Sequence, residues 1–103
     1  LQLNAVQPDV KSNYAYFPVI FEPETFGATR NEVFEALARD SINARKYFYP
    51  LTNTFECFHG QFDVTKTPVA LHLSKRVLTL PLYADLALSD VDRICNIIKS
   101  CAK

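Results

Sequence analysis

Near the end of the chain Val91, Ile94, Cys95, Ile98 and Cys101 recur with a helical period, so a helix over 89–101 carries them on one face. No other segment constrains the fold as much. A helix that is apolar along one side is stable only against a partner surface. Ser89-x-x-Asp92 has the spacing of a capping box and marks the start of this helix.

Two further helices precede it. Thr29-x-x-Glu32 is a capping box, and Val33, Phe34, Leu37 and Ala38 give the helix it opens an apolar face that runs to Asp40-Ser41. Thr67-Pro68 supplies an N-cap followed by proline at the first helical position, and Lys75-Arg76 suit the negative end of that helix. Three segments have strand character: Tyr14 to Phe21, Ile42 to Phe48, and Val77 to Leu80, the last halted by Pro81. Pro18 cannot donate to a ladder, which predicts an edge position or a bulge for the first of them. Glu22 to Ala28, with Pro23 and Gly27, reads as a loop. The expected fold class is α+β, a small three-stranded sheet covered on one face by helices near 29–41, 67–76 and 89–101. Residues 1–13 are mixed and polar and read as a lead-in from an upstream region.

The chain has 103 residues, which suffices for one domain with a modest core. Lys+Arg and Asp+Glu number 11 each, so the net charge of +0 lacks the electrostatic footprint of nucleic-acid or acidic-membrane binding. The longest apolar run, Tyr14 to Phe21, falls far short of the ~20 residues that span a bilayer. There is no methionine, even at the first position, so the chain is expected to be a processed product or a piece of something longer. Three cysteines without C-x-x-C spacing, Cys57, Cys95 and Cys101, make a poor disulfide framework and a poor zinc site; a reduced cytoplasmic protein with buried thiols is expected.

Several chemistries lack their sequence requirements. With only Gly27 and Gly60 there is neither a P-loop nor a dinucleotide fingerprint. His59 and His72 are too far apart for a helical zinc pair. Cys57 beside His59 has no orienting third group, so a structural thiol is expected there rather than a nucleophile. Asp90 and Asp92 are helix-start acids. Phe55, Phe58 and Phe62 lie in a segment of no clean period and must pack against this domain, a missing neighbour or a second copy of the chain.

The run Ala44-Arg45-Lys46-Tyr47-Phe48-Tyr49-Pro50-Leu51 sets two cations among three rings. It fits an edge strand with solvated cations. It equally fits the wall of a pocket in which Arg45 or Lys46 meets a phosphate while Tyr47 and Tyr49 offer hydroxyls and ring faces.

This run resembles the C-terminal small domain of the DegT/DnrJ/EryC1/StrS aminotransferases. So do the aromatic strand Tyr14 to Phe21, the helix Thr29 to Ser41, the stretch Leu73 to Tyr83 and the closing Leu88 to Ile94. Many relatives place a histidine just after the Pro-Leu, where this chain has Thr52-Asn53. The resemblance implies that residues 14–103 are the small domain of a type I, pyridoxal-phosphate-dependent aminotransferase. Its parent would be a cytoplasmic homodimer that moves an amino group, commonly from glutamate, to a keto-deoxy nucleotide sugar. It implies substrate-binding roles for Arg45, Lys46, Tyr47 and Tyr49. It also implies that the catalytic lysine and the cofactor's acid partner belong to a missing N-terminal large domain. No catalytic, cofactor-binding or metal residue is carried over to this chain, which alone should be inactive and hold no cofactor. The competing readings are a stand-alone regulatory or ligand-binding module of ACT-like order and a protein-interaction domain. A base-stacking RRM-like fold is disfavoured by the neutral charge and by the lack of its glycine-aromatic motif.

Overall fold

The computed structural model describes residues 1–103. Its elements, in order, are β1 (Gln2–Leu3), β2 (Phe17–Ile20), α1 (Pro23–Phe26), α2 (Arg30–Arg39), α3 (Pro68–Ser74), β3 (Val77–Leu80) and α4 (Leu88–Cys101). Three short 3-10 turns, Thr52–Thr54, Glu56–Phe58 and Val64–Lys66, lie between α2 and α3. The sheet is antiparallel with order β1-β2-β3, and Val19 pairs with Leu3 on one side and Leu78 on the other. The expected α+β class and the three helices therefore hold, but the membership of the sheet differs.

The Ile42 to Phe48 segment is not a strand. It touches β3 through one bridge, in which Arg45 and Thr79 exchange N–H···O bonds of 2.9 and 2.7 Å. Pairing cannot extend toward Val77, because the Val77 carbonyl already accepts the Arg30 Nη1–H at 2.9 Å. The third strand is instead Gln2–Leu3, from the segment that reads as polar and mixed. Pro18 consequently sits in the central strand rather than at an edge. Phe21 N–H donates to Arg76 O on the β3 side, and alternation turns Val19 and Phe17 the same way and Pro18 toward β1. Because β1 stops at Leu3, no ladder bond is asked of Pro18.

The core lies between one face of the sheet and the pair α2 and α4. Phe21, Val33, Leu37 and Leu78 are fully buried there, joined by Val19, Ile94 and Ile98. The stripe of α4 is rotated relative to the sequence expectation. Ile97 and Cys101 pack beside Ile94 and Ile98, whereas Val91 and Cys95 face outward. Cys57 is also exposed and Cys101 is half-buried, so none of the three thiols is fully buried as expected. The Ser89 capping box does not form either: α4 begins one residue earlier, with Ala87 at its N-cap and no side-chain cap.

The Thr29 box does form. Glu32 N–H donates to Thr29 Oγ1 at 3.2 Å, and Thr29 N–H donates to Glu32 Oε2 at 2.7 Å. At the other end of α2, Ser41 N–H donates to Ala38 O and Ile42 N–H to Leu37 O, with Ser41 left-handed at φ 61°. This is a Schellman motif with serine where glycine is usual. The segment read as a loop before α2 holds the single turn α1, closed by Gly27 at φ 87°. Lys103 crosses so near Gly27 that a Cβ there would stand 2.7 Å from its backbone nitrogen. Glu22, at the head of α1, binds His72 Nε2 at 2.7 Å and Arg76 Nε at 2.8 Å, and so ties α3 to the end of β2.

Ser41→Gly should raise stability by about 0.5–1 kcal/mol by removing a Cβ from the left-handed region. Thr29→Ala should lower it by about 1 kcal/mol through the lost cap. Thermal unfolding of the two variants reads both signs. Three carboxyls are held below their ordinary pKa: Glu22 chiefly by its bond with His72, Glu32 by the Thr29 N–H and hydroxyl, and Asp63 by the Thr65 hydroxyl and N–H. Each contributes stability that is fully present above its unfolded value, 4.5 for the two glutamates, and lost as pH falls through the lowered folded value. Denaturant midpoints should drop below pH 4.5, and Glu22→Gln should make that drop shallower.

Candidate functional site

A cavity of about 290 Å³ opens where the chain leaves β3. Thr79 to Tyr83 form one wall, Asn43, Arg45 and Tyr47 a second, and Ala15 and Tyr16 a third. The paired bonds between Arg45 and Thr79 fix the Arg45 backbone to the outer edge of β3, so its side chain leaves a rigid point. Arg45 Nη1–H donates to Tyr47 Oη at 2.9 Å, and the guanidinium carbon lies 5.4 Å from the Tyr47 ring centroid. The four ion pairs of the chain involve Glu22 (twice), Asp40 and Glu32, so no carboxylate neutralises Arg45. With five N–H donors and one of them used by Tyr47, this cation retains capacity for an anion.

Aromatic rings frame the opening. Tyr47 and Phe48 stack with centroids 5.2 Å apart and planes 9° apart, and Tyr16 meets both edge-on at 5.9 Å. Tyr16, Tyr47 and Thr79 also border a wider groove of about 780 Å³ on the sheet face opposite the core, floored by Pro18, Ile20 and Val77. Phe48 and Tyr49 are exposed, as are Phe55 and Phe62. Phe58 is half-buried and touches Phe62 edge-on at 5.2 Å, so two of the three loop rings are not covered by this domain.

The four residues expected to bind substrate divide two and two. Arg45 and Tyr47 line the cavity. Lys46 and Tyr49 turn to α2 instead: Lys46 Nζ lies 4.4 Å from the Phe34 ring centroid, and Tyr49 stacks under the Arg30 guanidinium at 5.2 Å. Arg30 itself escaped the sequence reading. It is 4% exposed, donates Nε–H to Asn31 Oδ1 at 2.9 Å, and has its pKa lowered by burial. One signal was available: a cation in the first turn of a helix opposes the macrodipole and so needs another reason to be there. Asn43, Thr79 and Tyr83 were likewise not singled out, because only the bridge at Arg45 brings their segments together.

No lysine lines either cavity, and no His, Cys, Asp and Glu side chains converge as a metal ion requires. No helix is long and apolar enough to cross a membrane.

Comparison with known proteins places this geometry in context. The model of the DegT/DnrJ/EryC1/StrS aminotransferase family matches residues 1–99. The chain is 34% identical over 92 residues to a dTDP-4-amino-4,6-dideoxy-D-glucose transaminase of Escherichia coli, covering 87% of this chain and 24% of that protein. It is 33% identical over 88 residues to the enzyme of the same name from Shigella dysenteriae, covering 85% and 24%. A crystal structure of a PLP-dependent aminotransferase from Bacillus cereus superposes with a TM-score of 0.62 at 24% identity, over 81% of this chain and 22% of that one, and shows the shared fold. The chain thus spans about a quarter of the length of the curated relatives it matches.

Proposed function

Because the chain belongs to the DegT/DnrJ/EryC1/StrS aminotransferase family, we propose that it is the C-terminal small domain of a cytoplasmic, homodimeric transaminase acting on a keto-deoxy nucleotide sugar, with an amino acid such as glutamate as donor. In this reading residues 14–103 form the small domain, and residues 1–13 lead in from a large domain and lend β1 to the small domain's sheet. The names of the relatives, both dTDP-sugar transaminases, support the substrate class. The family match favours this reading over a stand-alone ACT-like module.

The observation that carries the site is Arg45, a cation without a carboxylate partner, aimed by Tyr47 at a cavity rimmed with rings. A diphosphate-linked sugar needs that combination. The guanidinium takes phosphoryl oxygens through paired N–H donors. The Tyr47 hydroxyl accepts from Arg45 and remains free to donate to the same oxygens or to a sugar hydroxyl. Tyr16 and Tyr83 offer ring faces in the same cavity. Asn43 and Tyr83 add polar groups to the wall.

Pyridoxal phosphate supplies the electron sink of transamination when bound. The residues of this chain do not fit that group. A lysine must reach its carbonyl, and the one lysine near the cavity, Lys46, lies instead against Phe34. We therefore assign the cofactor and its lysine to the large domain and only binding of the nucleotide sugar to this chain. The isolated 103-residue chain should give no cofactor absorbance band with pyridoxal phosphate and no transamination.

The decisive test uses the full-length enzyme. Arg45→Ala should raise KM for the nucleotide sugar by about 10- to 150-fold, the loss of about 1.5–3 kcal/mol from one charge-assisted contact, with kcat and the cofactor spectrum nearly unchanged. Collapse of kcat at constant KM, or loss of the cofactor band, would place Arg45 in the chemistry and overturn this assignment.

A further inference from the structure

Helix α2 and the segment that carries Arg45 meet through two contacts of the same kind and opposite sense. Arg30 and Phe34 stand one turn apart on α2, so they present neighbouring side chains to the segment. The Arg30 cation lies 5.2 Å from the Tyr49 ring, and the Phe34 ring receives the Lys46 ammonium at 4.4 Å. Each side thus provides one cation and one ring. Arg30 is fixed in turn by its bond to the Val77 carbonyl at 2.9 Å and by Asn31. A guanidinium that is 4% exposed with only neutral acceptors and a ring around it has a desolvation cost that a well-packed apolar residue would avoid. Packing alone does not account for it.

The segment divides its side chains between the two surfaces. Arg45 faces the cavity, Lys46 faces α2, Tyr47 faces the cavity, and Tyr49 faces α2 again. We propose that Arg30 and Phe34 are positioning residues, whose crossed cation–π contacts with Tyr49 and Lys46 hold the 46–49 segment on α2 and so aim Arg45 and Tyr47 into the cavity. This rests on the binding role given to Arg45 above and deepens it. Lys46 and Tyr49 then act on the substrate through Arg45 and Tyr47 rather than by touching it, and the specificity of the site depends on two α2 residues that line no part of the cavity.

Phe34 separates this from a direct-contact role. In the full-length enzyme Phe34→Leu keeps an apolar side chain of similar size and removes the ring face, whereas Phe34→Tyr keeps the face. Phe34→Leu should raise KM for the nucleotide sugar about 3- to 10-fold at unchanged kcat and speed deuterium uptake across residues 45–50. Phe34→Tyr should restore both. Arg30→Lys, which retains a cation over Tyr49, should fall between the wild type and Arg30→Met. Equal KM and equal uptake in Phe34→Leu and the wild type would overturn the clasp. Faster uptake with unchanged KM, while Arg45→Ala still raises KM, would overturn the positioning role and leave the site intact. If Arg45→Ala itself leaves KM unchanged, the site reading fails and this inference with it.

Discussion

The outer edge of β3 is where the domain is decided. A strand edge presents N–H and C=O groups that must find partners once buried, and Val77, Leu78 and Thr79 are all buried. The partners come from two different places. Arg30 on α2 reaches the Val77 carbonyl with its side chain, and Arg45 closes on Thr79 with its backbone. The first contact docks α2 on the sheet, and the second brings the aromatic segment to the end of β3. Without the second the cavity loses its Arg45 wall, and without the first the helix beside that segment loses its hold on the sheet.

The same edge explains why the aromatic segment has no regular structure. With the Val77 carbonyl taken by a guanidinium, a partner strand has one position left, Thr79. The chain makes that single bridge and departs along α2, where its own cation and ring replace the missing ladder bonds. From Arg45 to Tyr47 the side chains still alternate as in a strand, two to the cavity and Lys46 to α2. Beyond Tyr47 the alternation ends, with Phe48 stacked on Tyr47 and Tyr49 against Arg30.

The sheet has two unlike faces. Val19, Phe21 and Leu78 meet α2 and α4 and form the apolar core. Pro18, Ile20 and Val77 floor an open groove that merges with the cavity at Tyr16, Tyr47 and Thr79. The exposed rings of Tyr16 and Phe48 border that side. The chain spans about a quarter of the length of the curated relatives it matches.

Local patterns in the chain were enough for α2, α3, α4 and β3, though not for the single turn α1. Thr29 and Glu32 cap α2 through contacts three residues apart, Pro68 starts α3, and the Ile94 and Ile98 spacing commits α4 to a buried face. Those signals live within a turn or two of helix, and local chemistry suffices for them. Arg45 and Tyr47, which line the cavity, could be singled out because an unusual mixture of cations and rings is itself local. The identity of the third strand was not, since Gln2 and Leu3 gain strand geometry only by meeting Ile20 and Val19. Nor was the outward turn of Cys95 and Val91, which depends on how far α4 rolls against α2. Arg30 is the clearest case. Its bond partner lies 47 residues away, and its ring partner sits on a segment whose path the strand edge dictates. Tertiary structure alone decided which cations line the cavity and which lie against a ring at α2, because that choice depends on contacts between distant parts of the chain rather than on residue type.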